Sequence, residues 1–436
     1  MQRWVWLLCG MMGIHGFAAD EPAAWPEKDG PFRNGHAHPH HAQRLPTHWD
    51  AETGHHIAWK LPLEGEGHST PVIAGHSLWF TSATADGHQQ FVERVDLVTG
   101  RRLQRKLLFE NPDPEPLGNA VNTYASPTCV YEPGALYVHF GSYGTACLHP
   151  DTLEVVWQRR DLPCRHFRGP GSSPLVEDDL LILTFDGIDQ QYLVALNKRT
   201  GHTVWRTDRS TDFKDLDPTG KPRGDGDFRK AYSTPLVVRV DGRKQLISVG
   251  SRAGFGYDLR TGQELWTFTH PDFNSASRPQ RFENLVIVTT GSKAEVYAIR
   301  VDASTQGNID ETHVCWKRTR GGPKLPWPII VGDRLFLLSD NGVLYCLDVR
   351  TGEELQARRL GGFYVASPVY ANGVLYLCDE AGLCRVVRAD DTLEVVATNR
   401  LTEGMRASPA IASGALFLRT FSHLYKIAAQ TEAPGN

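Results

Sequence analysis

Polar side chains suited to chemistry gather in a few stretches of this 436-residue chain, and each stretch suggests a different use. His166 and Arg168, taken with Tyr124, Tyr232 and Asp186, are the residue types of an acid–base group, with an imidazole to move a proton and a guanidinium to hold a developing anion. Basic residues recur at intervals: Arg229, Lys230, Arg252, Arg278, Lys324 and Arg406, with His68 further upstream. Brought together, such side chains bind carboxylate, sulfate or phosphate, the arginines in bidentate fashion. Asp215-x-Asp217-x-Thr219-Gly220 has oxygen ligands at alternate positions and a glycine for the sharp turn, which is the first half of a calcium loop. Thr219 stands in the place of a third acid, so a solvated acidic lid is the competing reading. His36, His38, His40, His41, His48, His55 and His56 form a tract of the kind that binds zinc, nickel or copper loosely, or else an extended N-terminal strap.

These residues need a scaffold, and an internal repeat supplies it. Ser/Thr-Pro pairs or their relatives recur with prolines at Pro71, Pro127, Pro174, Pro235, Pro279, Pro328, Pro368 and Pro409. The shortest separation is 40, from Pro328 to Pro368, and the longest is 61, from Pro174 to Pro235. Each unit reads as four short strands. The proline opens the first, where its missing N–H does least harm. A Thr-Gly turn precedes the fourth at Gly100, Gly201, Gly262 and Gly352, and that strand ends in tryptophan at Trp157, Trp205, Trp266 and Trp316. Eight such units predict an all-β fold: an eight-bladed propeller of four-stranded antiparallel blades over residues 55–427. The last unit has only three strands, and residues 55–61 are expected to supply the missing outer one and close the ring. The tryptophans fill the wedges between blades. Deleting residues 50–62 is expected to cost cooperativity, and deleting 20–40 to be milder.

In such a ring the loops entering the innermost strands and the hairpins between the second and third strands share one face around a central funnel. The predicted ligand-binding set at that face is His68, Tyr124, His166, Arg168, Asp186, Arg229, Lys230, Tyr232, Arg252, Arg278, Lys324 and Arg406. The loop from Thr207 to Phe228 should overhang it.

Composition bounds the rest. Hydrophobic residues at 41% and charged ones at 22% exclude a disordered chain, and 46 basic against 50 acidic side chains argue against a nucleic-acid partner. Residues 1–19 read as a signal peptide, one positive charge followed by an apolar run too short to span a bilayer, which implies export to the periplasm or cell exterior and no transmembrane segment. Residues 20–54 are the His-rich strap and 428–436 a disordered tail. The cysteines beyond Cys9 are odd in number and form no framework, although Cys378 and Cys384 flank a turn where they would face each other.

The Thr-Gly-x-x-x-Trp element, the Ser-Pro strand opening and the count of eight resemble the quinoprotein-like propellers, which include pyrroloquinoline-quinone dehydrogenases and the propeller lipoprotein of outer-membrane assembly. Trp25-Pro26, Phe32-Arg33-Asn34-Gly35 and the stretch Arg165–Pro174 are similar to a group of secreted pyrroloquinoline-quinone-binding-like repeat proteins common in planctomycetes. The resemblance implies the fold, and that group has no settled activity. Quinone-dependent alcohol dehydrogenases hold the cofactor between a tryptophan and a vicinal Cys-Cys disulfide beside calcium; this chain has no Cys-Cys pair. The expectation is therefore a monomeric, non-catalytic scaffold without a quinone, binding a protein or carbohydrate partner, or another anionic ligand, at its funnel. A quinone-dependent or carbohydrate-acting enzyme is the alternative.

Overall fold

The computed structural model describes residues 24–118 and 121–429. The signal peptide expected over residues 1–19 lies outside them, as does most of the expected tail. Eight antiparallel sheets follow one another in a ring, each with its four strands in simple up-and-down order. The innermost strands are Val72–Ala74, Val130–Glu132, Leu175–Glu177, Leu236–Val240, Gln280–Phe282, Ile329–Val331, Val369–Ala371 and Ala410–Ala412, opening blades 1 to 8 in turn. Blade 4 carries a short parallel fifth strand, Gly307–Asn308, on its outer edge. Ile57–Pro62 pairs antiparallel with His423–Ala428 and completes blade 8, so the ring closes as the sequence predicts.

The core lies between blades. Val72, Trp79 and Val92 of blade 1 pack with Leu136, Val138 and Ala146 of blade 2, and Tyr137 and Cys147 of blade 2 pack with Leu181, Leu183 and Val194 of blade 3. Both repeat motifs act at these joints. The tryptophan of one blade lies flat on the Thr-Gly turn of the next: Trp59 on Gly100, Trp157 on Gly201, Trp205 on Gly262 and Trp316 on Gly352. Its indole N–H donates to a carbonyl of that next blade, Leu97, Lys198, Leu259 and Val349 respectively. Each of these glycines has φ of +72° or +73°, and a Cβ there would lie within 2.7 Å of the indole, so glycine is required twice over.

Ser and Thr residues next to most of these prolines link blades near the axis. Thr70 N–H donates to Thr128 Oγ1, Thr128 N–H to Ser173 Oγ, and Ser173 N–H to Thr234 Oγ1. Ser233 and Ser277 donate their hydroxyls to the carbonyls of Ser277 and Pro326. Trp327 N–H donates to Ser367 Oγ and Ser367 N–H to Ser408 Oγ; Arg419 closes the belt on Ser69. Proline leaves no spare N–H in this crowded ring, and the hydroxyl satisfies the neighbouring blade.

Residues 24–49 do more than cross the surface. Trp25 bridges Ile73, Pro26 accepts from Tyr131 N–H, and Arg33 reaches Val176 O and Glu177. Glu27 and Asp29 hold Arg278; His36 meets Ile330 O, Ala37 pairs with Tyr370, and His41 accepts from Gly414 N–H. One segment therefore touches blades 1, 2, 3, 5, 6, 7 and 8, mostly at the ends of their innermost strands, and must lie across the axis. Its removal would uncover interior: Trp25 is fully buried, and Glu27, Asp29 and Arg278 form a buried ionic cluster. The histidines of this segment are held by its own turns and by the blades, and among the described residues no group of three or more His, Cys, Asp or Glu is arranged to hold a metal ion. Cys378 and Cys384 are directly opposite across their hairpin, as buried free thiols.

Candidate functional site

The loops that lead into the innermost strands converge on the axis around a cavity of about 200 Å³. Five members of the predicted set line it: His68, Arg168, Tyr232, Lys324 and Arg406. Lys28, Asn122, Asn274, Leu325, Trp327 and Val365 complete the wall with smaller residues. Four cations face this space and, among the described lining residues, no carboxylate does.

Acids behind the wall hold two of the cations in place. Arg406 donates from Nε to Glu380 at 2.6 Å and from Nη1 to Val121 O at 3.2 Å. Arg168 lies 3.5 Å from Asp227. Lys324 is exposed at the mouth, its backbone held by the Asp340 carboxylate, and Lys28 stands over the Trp327 ring with Nζ 4.3 Å from the centroid. His68 is neutral: burial, then Arg406 and Arg419, push its imidazole down to about 3. Among the described residues the buried Tyr232 hydroxyl and Asn274 Oδ1 have no hydrogen-bond partner, and burial keeps the phenol protonated as a donor. The wall can thus attract an anion, hydrogen-bond it and cover an apolar body.

The other predicted residues are placed elsewhere. The acid–base group does not assemble. Tyr124 donates to Glu115 O at 2.9 Å; His166 is buried against Phe185 and accepts from Ser142 N–H at 3.1 Å; Asp186 is locked to Arg209 by two bonds of 2.7 Å. Each meets the hydrogen-bond demand that burial creates, which leaves no freedom to reach the axis. Arg229 binds Asp215 in bidentate fashion at 2.9 and 2.6 Å, and Lys230 is buried against Asp227. These charges pair with the acidic lid. Asp217 accepts from Thr219 and Lys221 within its own turn, so the calcium-loop residues serve Arg229 and a local turn. Arg252 sits at positive φ in its hairpin, its N–H on Asp272 O, and Arg278 is held by Glu27 and Asp29. Lys28, Asn274 and Trp327 were not anticipated. Lys28 lies in the strap, outside the repeat, and Trp327 replaces the Ser/Thr of a strand-opening motif, the one signal available.

A calcium-assisted quinone does not fit this lining: Trp327 offers a flat face, but the described wall has neither a carboxylate for the metal nor a cysteine pair. The description "Outer membrane protein assembly factor BamB" belongs to a family that matches residues 41–304, 130–358 and 255–420. The chain is 23% identical over 254 residues to the outer membrane protein assembly factor BamB of Yersinia pestis, covering 58% of this chain and 59% of that one. It is 25% identical over 272 residues to a tetrathionate hydrolase of Acidithiobacillus ferrooxidans, covering 58% of this chain and 49% of the relative. It thus spans between about half and three-fifths of the curated relatives it matches. Among solved structures, BamB from Moraxella catarrhalis superposes with a TM-score of 0.59 at 12% identity over 85% of this chain and 99% of that one. Quinohemoprotein alcohol dehydrogenase from Comamonas testosteroni does so with 0.65 at 12% over 96% and 82%. At that identity the likeness is one of fold.

Proposed function

Because this chain belongs to the family of the outer membrane protein assembly factor BamB, we propose that it is an exported, non-catalytic propeller scaffold that binds an anionic ligand, or an anionic group on a protein or carbohydrate partner, in its axial pocket. The observation that carries this reading is the convergence of Lys28, Arg168, Lys324 and Arg406 on one cavity with no carboxylate in its described lining. Low-dielectric walls make such fields add. A relative named for hydrolysis of tetrathionate, a dianion, supports the anion preference. Binding is favoured over chemistry because the two uncharged proton-transfer groups of the wall are poorly matched to neutral pH: His68 is pushed down to about 3, and Tyr232 above its ordinary range.

Calorimetry on the full chain against citrate, sulfate and oligogalacturonate, with neutral glucan as control, tests this. Anions should bind with an affinity that falls as salt rises, and Lys324→Ala should weaken it about tenfold, the loss of one charge-assisted contact of roughly 1.5 kcal/mol. A preference for the neutral glucan, or no salt dependence, would sink the reading. Calcium-dependent dye reduction with added quinone would favour the enzyme instead.

A further inference from the structure

The strap and the pocket meet at one residue. Strap residues lie against the innermost strands and against Arg278 of one incoming loop, whereas the pocket is built mainly from the incoming loops. Lys28 belongs to the strap and yet lines the pocket. The strap therefore crosses the axis beside the pocket, and one of its residues forms part of the pocket wall. We infer that the strap builds the floor of the axial pocket and presents the Lys28 ammonium to the ligand, so that the pocket takes one small organic dianion with a flat apolar body and not the interior of a polyanionic chain.

Three observations give the ligand its chemistry. The first is charge. Behind the two arginines of the wall stand two carboxylates, Glu380 on Arg406 and Asp227, which Arg168 shares with Lys230. Lys28 and Lys324 have no ion pair among the described residues; the neighbouring Asp29 is taken by Arg278. Among the described residues the wall therefore carries at least two positive charges beyond the acids behind it, which suits a ligand with two negative ones. The second is shape. A cavity of about 150 Å³ accommodates one benzene, so the roughly 200 Å³ here suits a single ring with its charged groups, the ring against Trp327 and Leu325. The third is the dead end: a polymer cannot thread an axis that the strap blocks. Burial, acting against the attraction of Asp29, pushes Lys28 down to about 8, so this ammonium has lost most of its hydration and stands to gain from an incoming carboxylate.

This inference rests on the anion-binding reading, and the experiment separates the two. Full-length protein is titrated with phthalate, with benzoate, and with oligogalacturonates of increasing length. Phthalate is expected to bind at least tenfold more tightly than benzoate. Lys28→Met should weaken phthalate at least tenfold and leave the thermal midpoint unchanged or higher, since methionine keeps the contact with Trp327 and removes a buried charge. As a readout on the unaltered protein, phthalate should protect Lys28 from reductive methylation, followed by mass spectrometry. Phthalate binding that K28M leaves intact, with Lys28 unprotected, overturns the role of the strap while the anion reading stands. Affinity that keeps rising with oligogalacturonate length overturns the small-ligand assignment. Failure of the wild-type protein to bind any of these anions overturns both.

Discussion

Four imidazoles illustrate what single residues contribute. Burial holds His68 and His139 near 3 and His166 and His270 near 4, so the folded chain keeps all four neutral at pH 7. In the unfolded chain they take up protons near 6.5. Below that value the unfolded state binds more protons than the folded one, and stability falls with pH at about 1.4 kcal/mol per unit for each histidine. The loss begins near pH 6.5 and continues until the folded imidazoles titrate, near 4 for His166 and His270 and near 3 for His68 and His139. Urea unfolding at pH 7.5 and 5.0 should therefore differ by several kcal/mol. His139→Gln, which retains a partner for Thr145 Oγ1, should reduce the difference by about 2 kcal/mol on the same basis. Equal midpoints at the two pH values would mean that the imidazoles are hydrated. At this scale the sequence was least legible. It names histidines and arginines but not their partners, and the partners decide: Asp186 belongs to Arg209 and Asp215 to Arg229, while Lys28 makes no ion pair among the described residues.

At the scale of elements, the Trp–Gly joint is the unit that sets one blade on the next. Gly201→Ala places a methyl group at φ +73° and 2.7 Å from the Trp157 ring. The left-handed conformation costs about 1–2 kcal/mol, and the overlap about 1–3 more. Gly134→Ala has the same conformational cost at φ +83°, but nothing lies within 4 Å of its Cβ. Denaturant titration should rank G201A well below G134A, and equal losses would show that the indole contact contributes nothing. These joints are why the fold was readable. Thr-Gly, Trp and Ser-Pro repeat because every blade solves the same packing problem, so the pattern sums over the chain even where Gln104 or Ala397 stands in place of tryptophan. Gln104 still donates to Thr152 O of the following blade, whereas Ala397 only fills space. The strap has no repeat, and its course through the axis could not be read from its residues.

At the scale of the whole molecule, a ring has no stable half, and the two N-terminal segments close it in different ways. Ile57–Pro62 supplies the outer strand of blade 8 and sets Trp59 on Gly100 of blade 1. Residues 24–49 tie seven blades together from the axis. Removing either segment exposes interior, but the consequences differ. Without residues 50–62, blade 8 loses its edge strand and the joint between the last and first blades opens; unfolding should broaden and lose cooperativity, because blades can then fray from the gap. Without residues 24–42 the perimeter stays closed, and the loss combines the apolar burial of Trp25 with an electrostatic cost. Arg278, 1% exposed, is left without Glu27 and Asp29, and a buried charge stripped of its partners costs about 3–5 kcal/mol. Unfolding should remain a single sharp transition at a lower midpoint. Arg278→Met in the strap-deleted chain should recover much of the loss, since it removes the stranded charge while preserving volume. Differential scanning calorimetry distinguishes the cases by transition width as well as midpoint. Should R278M give no recovery, the strap would act through apolar packing of Trp25 and not through the ionic cluster, and the axis would be held shut by hydrophobic burial alone.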